Sequence, residues 1–273
     1  MEVYYVTHPI GQINSDEQVL AIGFFDGVHL GHQQLLNRAK QIAEKKGIVF
    51  SAMTFSPHPD EVIKGDKNRE YLTPLPQKVE KMAELGVEKL FVVTFNKSFA
   101  SLPPIDFITN YIRATNTKHV VVGFDFTFGF KAQGDTHFLK KEAKKGEFGL
   151  SIIPKQTFHG QKISSTRIRE LLSEGNIEMV PYYLGMNYTL KGAIIQQKRA
   201  GVLAVQIHDN GMLPKPGKYE VKLSNGKKTI NGVFYRNSYT DNRIFVNEPF
   251  DCSAKDISIK FLNSISAATT VSS

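Results

Sequence analysis

Two histidines near residue 30 lie in a segment whose residue types suit phosphate binding. The segment reads Gly23-Phe24-Phe25-Asp26-Gly27-Val28-His29-Leu30-Gly31-His32 and stands between an apolar run and a stretch with helical spacing. Helix N-termini offer unpaired N–H groups and partial positive charge to anions. Gly27 and Gly31 allow close backbone approach, and His29 and His32 are one helical turn apart. The segment therefore predicts a phosphate cradle in which imidazole N–H groups stabilise developing charge.

Other roles for this histidine pair are weaker. A tight turn with two incidental histidines is the structural alternative. A zinc site needs further ligands, and no cysteine lies nearby. The chain has neither G-x-x-x-x-G-K-[ST] nor G-x-G-x-x-G, so it carries neither the P-loop nor the dinucleotide fingerprint. No protein metal site is predicted.

A second segment combines hydroxyl and guanidinium groups before a predicted helix. It reads Ile163-Ser164-Ser165-Thr166-Arg167-Ile168-Arg169. Capping of the helix by one hydroxyl is the structural alternative. A cap needs only one hydroxyl, whereas this segment offers three together with two arginines. A helix N-terminus with arginine donors suits a polyphosphate, and we predict that role for the segment.

Two aromatic segments follow predicted strands. They read Thr54-Phe55-Ser56-Pro57-His58-Pro59 and Gly123-Phe124-Asp125-Phe126-Thr127-Phe128-Gly129-Phe130. In an open parallel sheet both fall at the edge where the histidine segment lies. Aromatic rings there can stack on a flat ring system, although most phenylalanines are expected in the core. We expect a core position for Phe126, and either role for Phe55 and Phe128.

The elements that position these residues alternate between strand and helix over the first two thirds of the chain. Strands are predicted at 19–25, 48–55, 90–95, 119–123 and 150–154, and helices at 33–45, 76–85, 104–113, 138–145 and 166–173. Repeated βα units predict an α/β, Rossmann-like domain with a parallel sheet and helices on both faces.

After residue 185 the pattern changes to short alternating segments separated by turn dipeptides. Asn210-Gly211 and Asn225-Gly226 both suit hairpins. Six strands are predicted at 190–195, 202–208, 219–223, 229–235, 243–246 and 257–262. Strands without helices indicate a small antiparallel six-stranded β-barrel. The chain is therefore predicted to have two domains, residues 1–185 and 186–273.

The four motif segments, in this order, resemble the bacterial FAD synthetase family over residues 15–185. The resemblance implies a nucleotidyltransferase that moves the adenylyl group of ATP to FMN, giving FAD and pyrophosphate, with Mg²⁺ accompanying ATP. The residues it implies for ATP are Gly23, Phe24, Phe25, Asp26, Gly27, His29, Gly31, His32, Ser164, Ser165, Thr166 and Arg169, with His29, His32 and Arg169 as the catalytic groups. Those implied for the flavin are Phe55, Pro57, His58, Asp125, Phe126 and Phe128.

The barrel departs from the riboflavin kinase domain that bifunctional members of this family carry. The family's Pro-Thr-Ala-Asn segment is missing, and residues 196–202 stand in its place. Asn242 lies near the position expected for the family's catalytic glutamate. We therefore predict a kinase-like barrel without kinase activity and a monofunctional FAD synthetase. A bifunctional enzyme, a flavin-binding protein without turnover, and a transferase for another phosphorylated acceptor are the alternatives.

The composition of the chain limits the cellular locations and the binding partners that we expect for it. The chain has 273 residues, 41% of them hydrophobic, and a net charge of +8. No apolar run of about 18 residues and no secretory signal is visible, so no membrane partner is predicted. Cys252 is the single cysteine, so no disulfide within the chain can form, and together these features favour the cytoplasm. Cys252 itself is expected to be a small buried hydrophobe. No basic tract interleaved with aromatics indicates nucleic acid, and no oligomeric state follows from the sequence.

Overall fold

The computed structural model describes residues 1–9, 16–199, 201–237, 242–251 and 256–265. Cys252 and residues 266–273 lie outside these ranges. The chain divides into two compact units. The first comprises Met1–Arg69 and Leu75–Thr157, and the second comprises Glu70–Pro74 and Phe158–Ser273.

A parallel sheet forms the centre of the first unit. The strands of this unit are β1 (Glu2–Val6), β2 (Gln18–Ile22), β3 (Val49–Ser56), β4 (Lys89–Thr94), β5 (Thr117–Gly123), β6 (Thr127–Phe128), β7 (Gly134–Asp135) and β8 (Gly149–Ile153). Six of them pair in the order β1-β4-β3-β2-β5-β8, all parallel, while β6 and β7 form a short hairpin. The parallel sheet predicted from the alternating pattern is confirmed. Its edge strand β1 was not predicted.

Helices cover this sheet. They are α1 (Leu30–Lys46), α2 (Pro59–Ile63), α3 (Leu75–Glu84), α4 (Lys97–Ala100), α5 (Pro104–Phe107) and α6 (Thr136–Ala143). The helix predicted at 104–113 is α-helical only at its start, because Ile108–Arg113 forms a π-helical turn. Residues Phe130–Ala132 form a 3₁₀ turn.

Two hydrophobic cores lie on the two faces of the sheet, because successive strand residues point to opposite faces. On β2, Val19 and Ala21 pack in one core with helix α1, whereas Leu20 and Ile22 pack in the other with residues 107–112. Helix α1 contributes one apolar face to its core and ends at Gly47, whose φ is 65°. The Gly47 backbone N–H donates to carbonyls of the last helical turn, as in a left-handed C-cap.

The second unit contains short helices and a closed barrel. After the hairpin β9 (Thr157–Phe158) and β10 (Gln161–Lys162) come α7 (Ser165–Glu174), a 3₁₀ turn at Ile177–Met179 and α8 (Pro181–Leu184). The barrel strands are β11 (Thr189–Arg199), β12 (Val202–Ile207), β13 (Gly217–Ser224), β14 (Thr229–Arg236), β15 (Asn242–Val246) and β16 (Ile257–Ile265). They close antiparallel in the order β11-β12-β15-β14-β13-β16. The predicted six-stranded barrel is confirmed.

Among the described helices, none combines the length and the apolar character needed to cross a lipid bilayer.

Candidate active site

The loop between β2 and α1, residues 23–29, carries the first predicted phosphate segment. It begins at the carboxyl end of β2, where Gly23 N–H bonds the Met53 carbonyl at 3.1 Å. Phe25 and Val28 adopt left-handed backbone angles, with φ of 57° and 46°. Each such residue costs about 1–2 kcal/mol, so the surrounding contacts must hold the loop in this shape. The loop is therefore a fixed turn at the carboxyl end of the parallel strands.

His29 caps helix α1. Its Nδ1 accepts a hydrogen bond from the His32 backbone N–H at 3.3 Å, and its carbonyl accepts from Gln33 N–H at 2.9 Å. An accepting Nδ1 carries no proton, so a neutral His29 ring holds its proton on Nε2. The cap thus selects the tautomer that leaves Nε2–H as the donor of this ring.

His32 lies against both His29 and the loop. The two imidazoles stack with centroids 3.6 Å apart and planes 14° apart, and the His32 ring meets Phe25 edge to face at 5.3 Å. Burial lowers the pKa of His32 well below its ordinary value, and the charges of His29 and Lys78 lower it further. His32 Nδ1 is buried and has no hydrogen-bond partner among the residues that the structure describes. His32 is therefore a neutral ring with one unsatisfied polar atom.

A cavity of about 550 Å³ opens beside this histidine. Its volume suits a drug-sized or cofactor-sized ligand. The predicted site residues that line it are Gly23, Phe24, Phe25, His32, Phe55, Asp125, Phe126 and Phe128. Phe128 is buried and stacks on Phe126 at 5.6 Å, so both aromatic rings belong to the core and to the cavity wall. Asp125 is exposed.

The other predicted residues of the first unit are not part of the cavity lining. Pro57 and His58 lead into helix α2, which His58 caps through Nδ1 and the Asp60 N–H at 3.0 Å. The His58 ring meets Phe24 edge to face at 4.4 Å. Asp26 is buried, and Gly27 has a φ of 86° that suits glycine. Gly31 lies in the first turn of α1.

The second predicted phosphate segment belongs to the second unit. Ser164 caps helix α7 by accepting from Arg167 N–H at 3.2 Å, so the capping role that we considered is present. The Arg167 guanidinium pairs with Glu170 at 2.9 Å. Arg169 donates to the Glu70 carbonyl at 2.9 Å and contacts Met212 Sδ at 3.7 Å. The first turn of α7 holds Ser165 and Thr166.

Comparisons with known proteins agree with the resemblance seen in the motifs. The model of the FAD synthetase family matches residues 12–167, more than half of the chain. The chain belongs to the FAD synthetase family. The predictions of this family and of an FMN adenylyltransferase as its enzyme class are confirmed.

Individual relatives match most of this chain. A bifunctional riboflavin kinase/FMN adenylyltransferase of Listeria monocytogenes is 41% identical to this chain. The aligned region covers 85% of this chain and 77% of the relative. A FAD synthetase of the same bacterium is 34% identical, and the aligned region covers 81% of this chain and 87% of the relative. A Streptococcus pneumoniae crystal structure described as a macrolide-efflux protein has a TM-score of 0.87 at 25% identity, covering 100% of this chain and 94% of its own.

Two buried residues near the FAD synthetase motifs were missed by sequence reasoning. Thr54 Oγ1 donates to the Phe24 carbonyl at 2.9 Å, and Lys78 Nζ donates to the same carbonyl at 2.7 Å. Lys78 lies on the buried face of α3, between the buried Gln77 and Met82. A lysine at a core position of an amphipathic helix is the signal that could have found it.

In the described part of the chain, no three His, Cys, Asp or Glu side chains are grouped to hold a metal ion. The histidine pair of the FAD synthetase segment is thus not part of a larger ligand cluster within those residues.

Proposed function

We propose that this chain transfers the adenylyl group of ATP to FMN, forming FAD and releasing pyrophosphate. The observation that carries the proposal is the stacked pair His29 and His32 at the N-terminus of α1, beside an aromatic-lined cavity. Membership of the FAD synthetase family supports it. The pair and the helix N-terminus offer donors to phosphate, while the cavity offers a surface to a flat ring system.

In the proposed reaction, an FMN phosphate oxygen attacks the α-phosphorus of ATP in line. The bond from the α-phosphorus to the bridging oxygen breaks, and pyrophosphate leaves. His29 Nε2–H, His32 and the N–H groups of α1 stabilise the charge that builds up on the phosphates. Mg²⁺ enters with ATP, because it usually binds substrate phosphates and few protein groups. Positioning and electrostatics supply the rate, and no protein nucleophile is required.

The remaining predicted residues are assigned by the same proposal. The second predicted phosphate segment also holds ATP phosphates, through Ser164, Ser165, Thr166 and Arg169. The flavin side consists of Phe55, Pro57, His58, Asp125, Phe126 and Phe128. The division at residue 185 and the cytoplasmic location stay predictions.

Incubation of the protein with ATP, Mg²⁺ and FMN, followed by chromatography, tests the proposal. FAD and pyrophosphate should form in equal amounts. Tight retention of FMN without pyrophosphate release would instead favour a flavin-binding protein without turnover. No FAD and no flavin binding would overturn the flavin assignment altogether.

A second candidate function is an additional riboflavin kinase activity. The closed six-stranded barrel favours it, as does the name of the bifunctional Listeria relative at 41% identity. A Bacillus subtilis relative of the same name is 39% identical over 85% of this chain and 76% of its own. These relatives support the bifunctional alternative better than the monofunctional prediction, which rests on the missing Pro-Thr-Ala-Asn segment.

Riboflavin supplied with ATP and Mg²⁺ separates the two candidates. A bifunctional enzyme should convert riboflavin to FMN and then to FAD. A monofunctional enzyme should leave riboflavin unchanged while it still converts added FMN to FAD.

A further inference from the structure

Lys78 is a buried cation placed under the histidine loop. Its side chain comes from α3 and is 2% exposed, so it does not reach bulk solvent. Lysine is rarely buried to this extent without a specific partner. The ionisable and polar groups around it therefore decide what it does.

The partners of Lys78 belong to the loop and to the strand beneath it. Its Nζ donates to the Phe24 carbonyl at 2.7 Å and to Thr54 Oγ1 at 3.3 Å. The same ammonium lies 4.2 Å from the centroid of the Phe24 ring, within cation–π range. Thr54 itself donates to the Phe24 carbonyl at 2.9 Å. One lysine thus fixes both the backbone and the side chain of Phe24.

Phe24 connects the aromatic cavity with the histidine pair. It follows Gly23 in the loop, its ring lines the cavity, and it precedes the strained residue Phe25. Phe25 in turn packs edge to face on the His32 ring at 5.3 Å. Movement of Phe24 would therefore disturb the cavity wall and the histidine pair together.

We propose that Lys78 is a positioning residue for adenylyl transfer, holding Phe24 and the loop that carries the two histidines while adding buried positive charge beneath them. This inference rests on the proposed function. It assigns Lys78 no contact with substrate, because the side chain is buried below the loop. The charge reaches the site, since Lys78 is close enough to lower the pKa of His32.

Three variants test the role. Lys78→Met keeps the approximate length and removes the charge, whereas Lys78→Arg keeps the charge. Lys81→Met is the matched control, because Lys81 lies one turn along the same helix, half-buried beside Glu84. Steady-state FAD formation should show a kcat about 10- to 100-fold lower in K78M, the size expected for loss of a charged hydrogen bond. K81M should retain the parent kcat.

A pH profile distinguishes positioning by a charged group from simple packing. Burial lowers the pKa of Lys78 to about 8, so FAD formation by the parent should decline above that pH as the ammonium is lost. Asp26 and His32 interact electrostatically with Lys78, and His58 packs edge to face on the Phe24 ring that Lys78 contacts. All three remain in K78R, whose guanidinium stays charged, so the alkaline decline should move to higher pH there.

The outcomes separate this inference from the proposed function. If the parent makes no FAD, the proposed function fails before Lys78 is tested. If the parent is active and K78M keeps its kcat, Lys78 does not position the loop. Identical alkaline limbs in the parent and K78R would also overturn the role, and this comparison decides alone should K78M fail to fold.

Discussion

The imidazole rings of His29 and His32 stack with centroids 3.6 Å apart at the first turn of α1. The same two residues are joined by the bond from His32 N–H to His29 Nδ1. His29 therefore serves the helix and the proposed phosphate site together, whereas His32 serves the site through its ring alone. Substitutions at the two positions should differ for this reason.

Replacement of His32 by alanine should lower FAD formation by about 10²-fold or more, the size expected for loss of an oxyanion-type donor. Its side chain lies at the cavity, so thermal unfolding should change little. His29→Ala should lower activity and also cost about 1 kcal/mol of stability through the lost cap. His29→Asn restores a capping side chain and should recover the stability alone. Equal activity in H32A and the parent would refute the role of His32.

Ser164 permits a test of capping against phosphate binding, because both Asn and Asp cap helices well. Ser164→Ala should lower stability by about 1 kcal/mol, while S164N and S164D should not. If Ser164 also faces the triphosphate, the carboxylate of S164D should repel it and raise the KM for ATP. S164N, neutral and also capping, is the control. The same KM for ATP in S164D and S164N would leave Ser164 with capping only.

Gly134 allows the aromatic wall to be displaced without touching a ring. A Cβ at this position would lie 2.7 Å from atoms of the Phe128 ring, which packs against Phe107 at 5.0 Å. Gly134→Ala should therefore destabilise the fold by about 1–3 kcal/mol and raise the KM for FMN more than the KM for ATP. Gly217→Ala, whose Cβ would meet only an ordinary contact at 3.4 Å, is the matched control. An unchanged KM for FMN in G134A would argue against Phe128 as part of a flavin site.

Local sequence patterns were enough to predict most of the fold. Apolar runs between turn residues located the central strands, and alternation located all six barrel strands within a few residues. β1 was missed because Tyr4 and Tyr5 are both exposed on a sheet edge, which leaves no clear alternation. The π-helical turn at Ile108–Arg113 keeps a helical spacing of apolar residues, so periodicity alone does not distinguish it from an α-helix.

The candidate site was predictable in residue type but not in its supports. The motifs placed His29 and His32 at the helix start, yet histidine is not among the preferred caps, so the role of its Nδ1 went unseen. Lys78 lies 54 positions from its partner Phe24. Only tertiary packing of α3 against the loop brings them together, and no local pattern encodes that distance.

Lys78 should also leave a signature in the pH dependence of stability. Its pKa is about 8 in the folded protein against 10.5 ordinarily, because burial disfavours the charged form. Between these values the unfolded chain binds a proton that the folded protein does not, so the free energy of unfolding should rise with pH. Over the full window the rise is about 3 kcal/mol. Urea unfolding at several pH values between 8 and 10, with the K78M curve subtracted to remove other titrations, measures it. A difference that stays flat or falls with pH would show that the ammonium is not buried beneath the loop, because a solvated lysine has no such window.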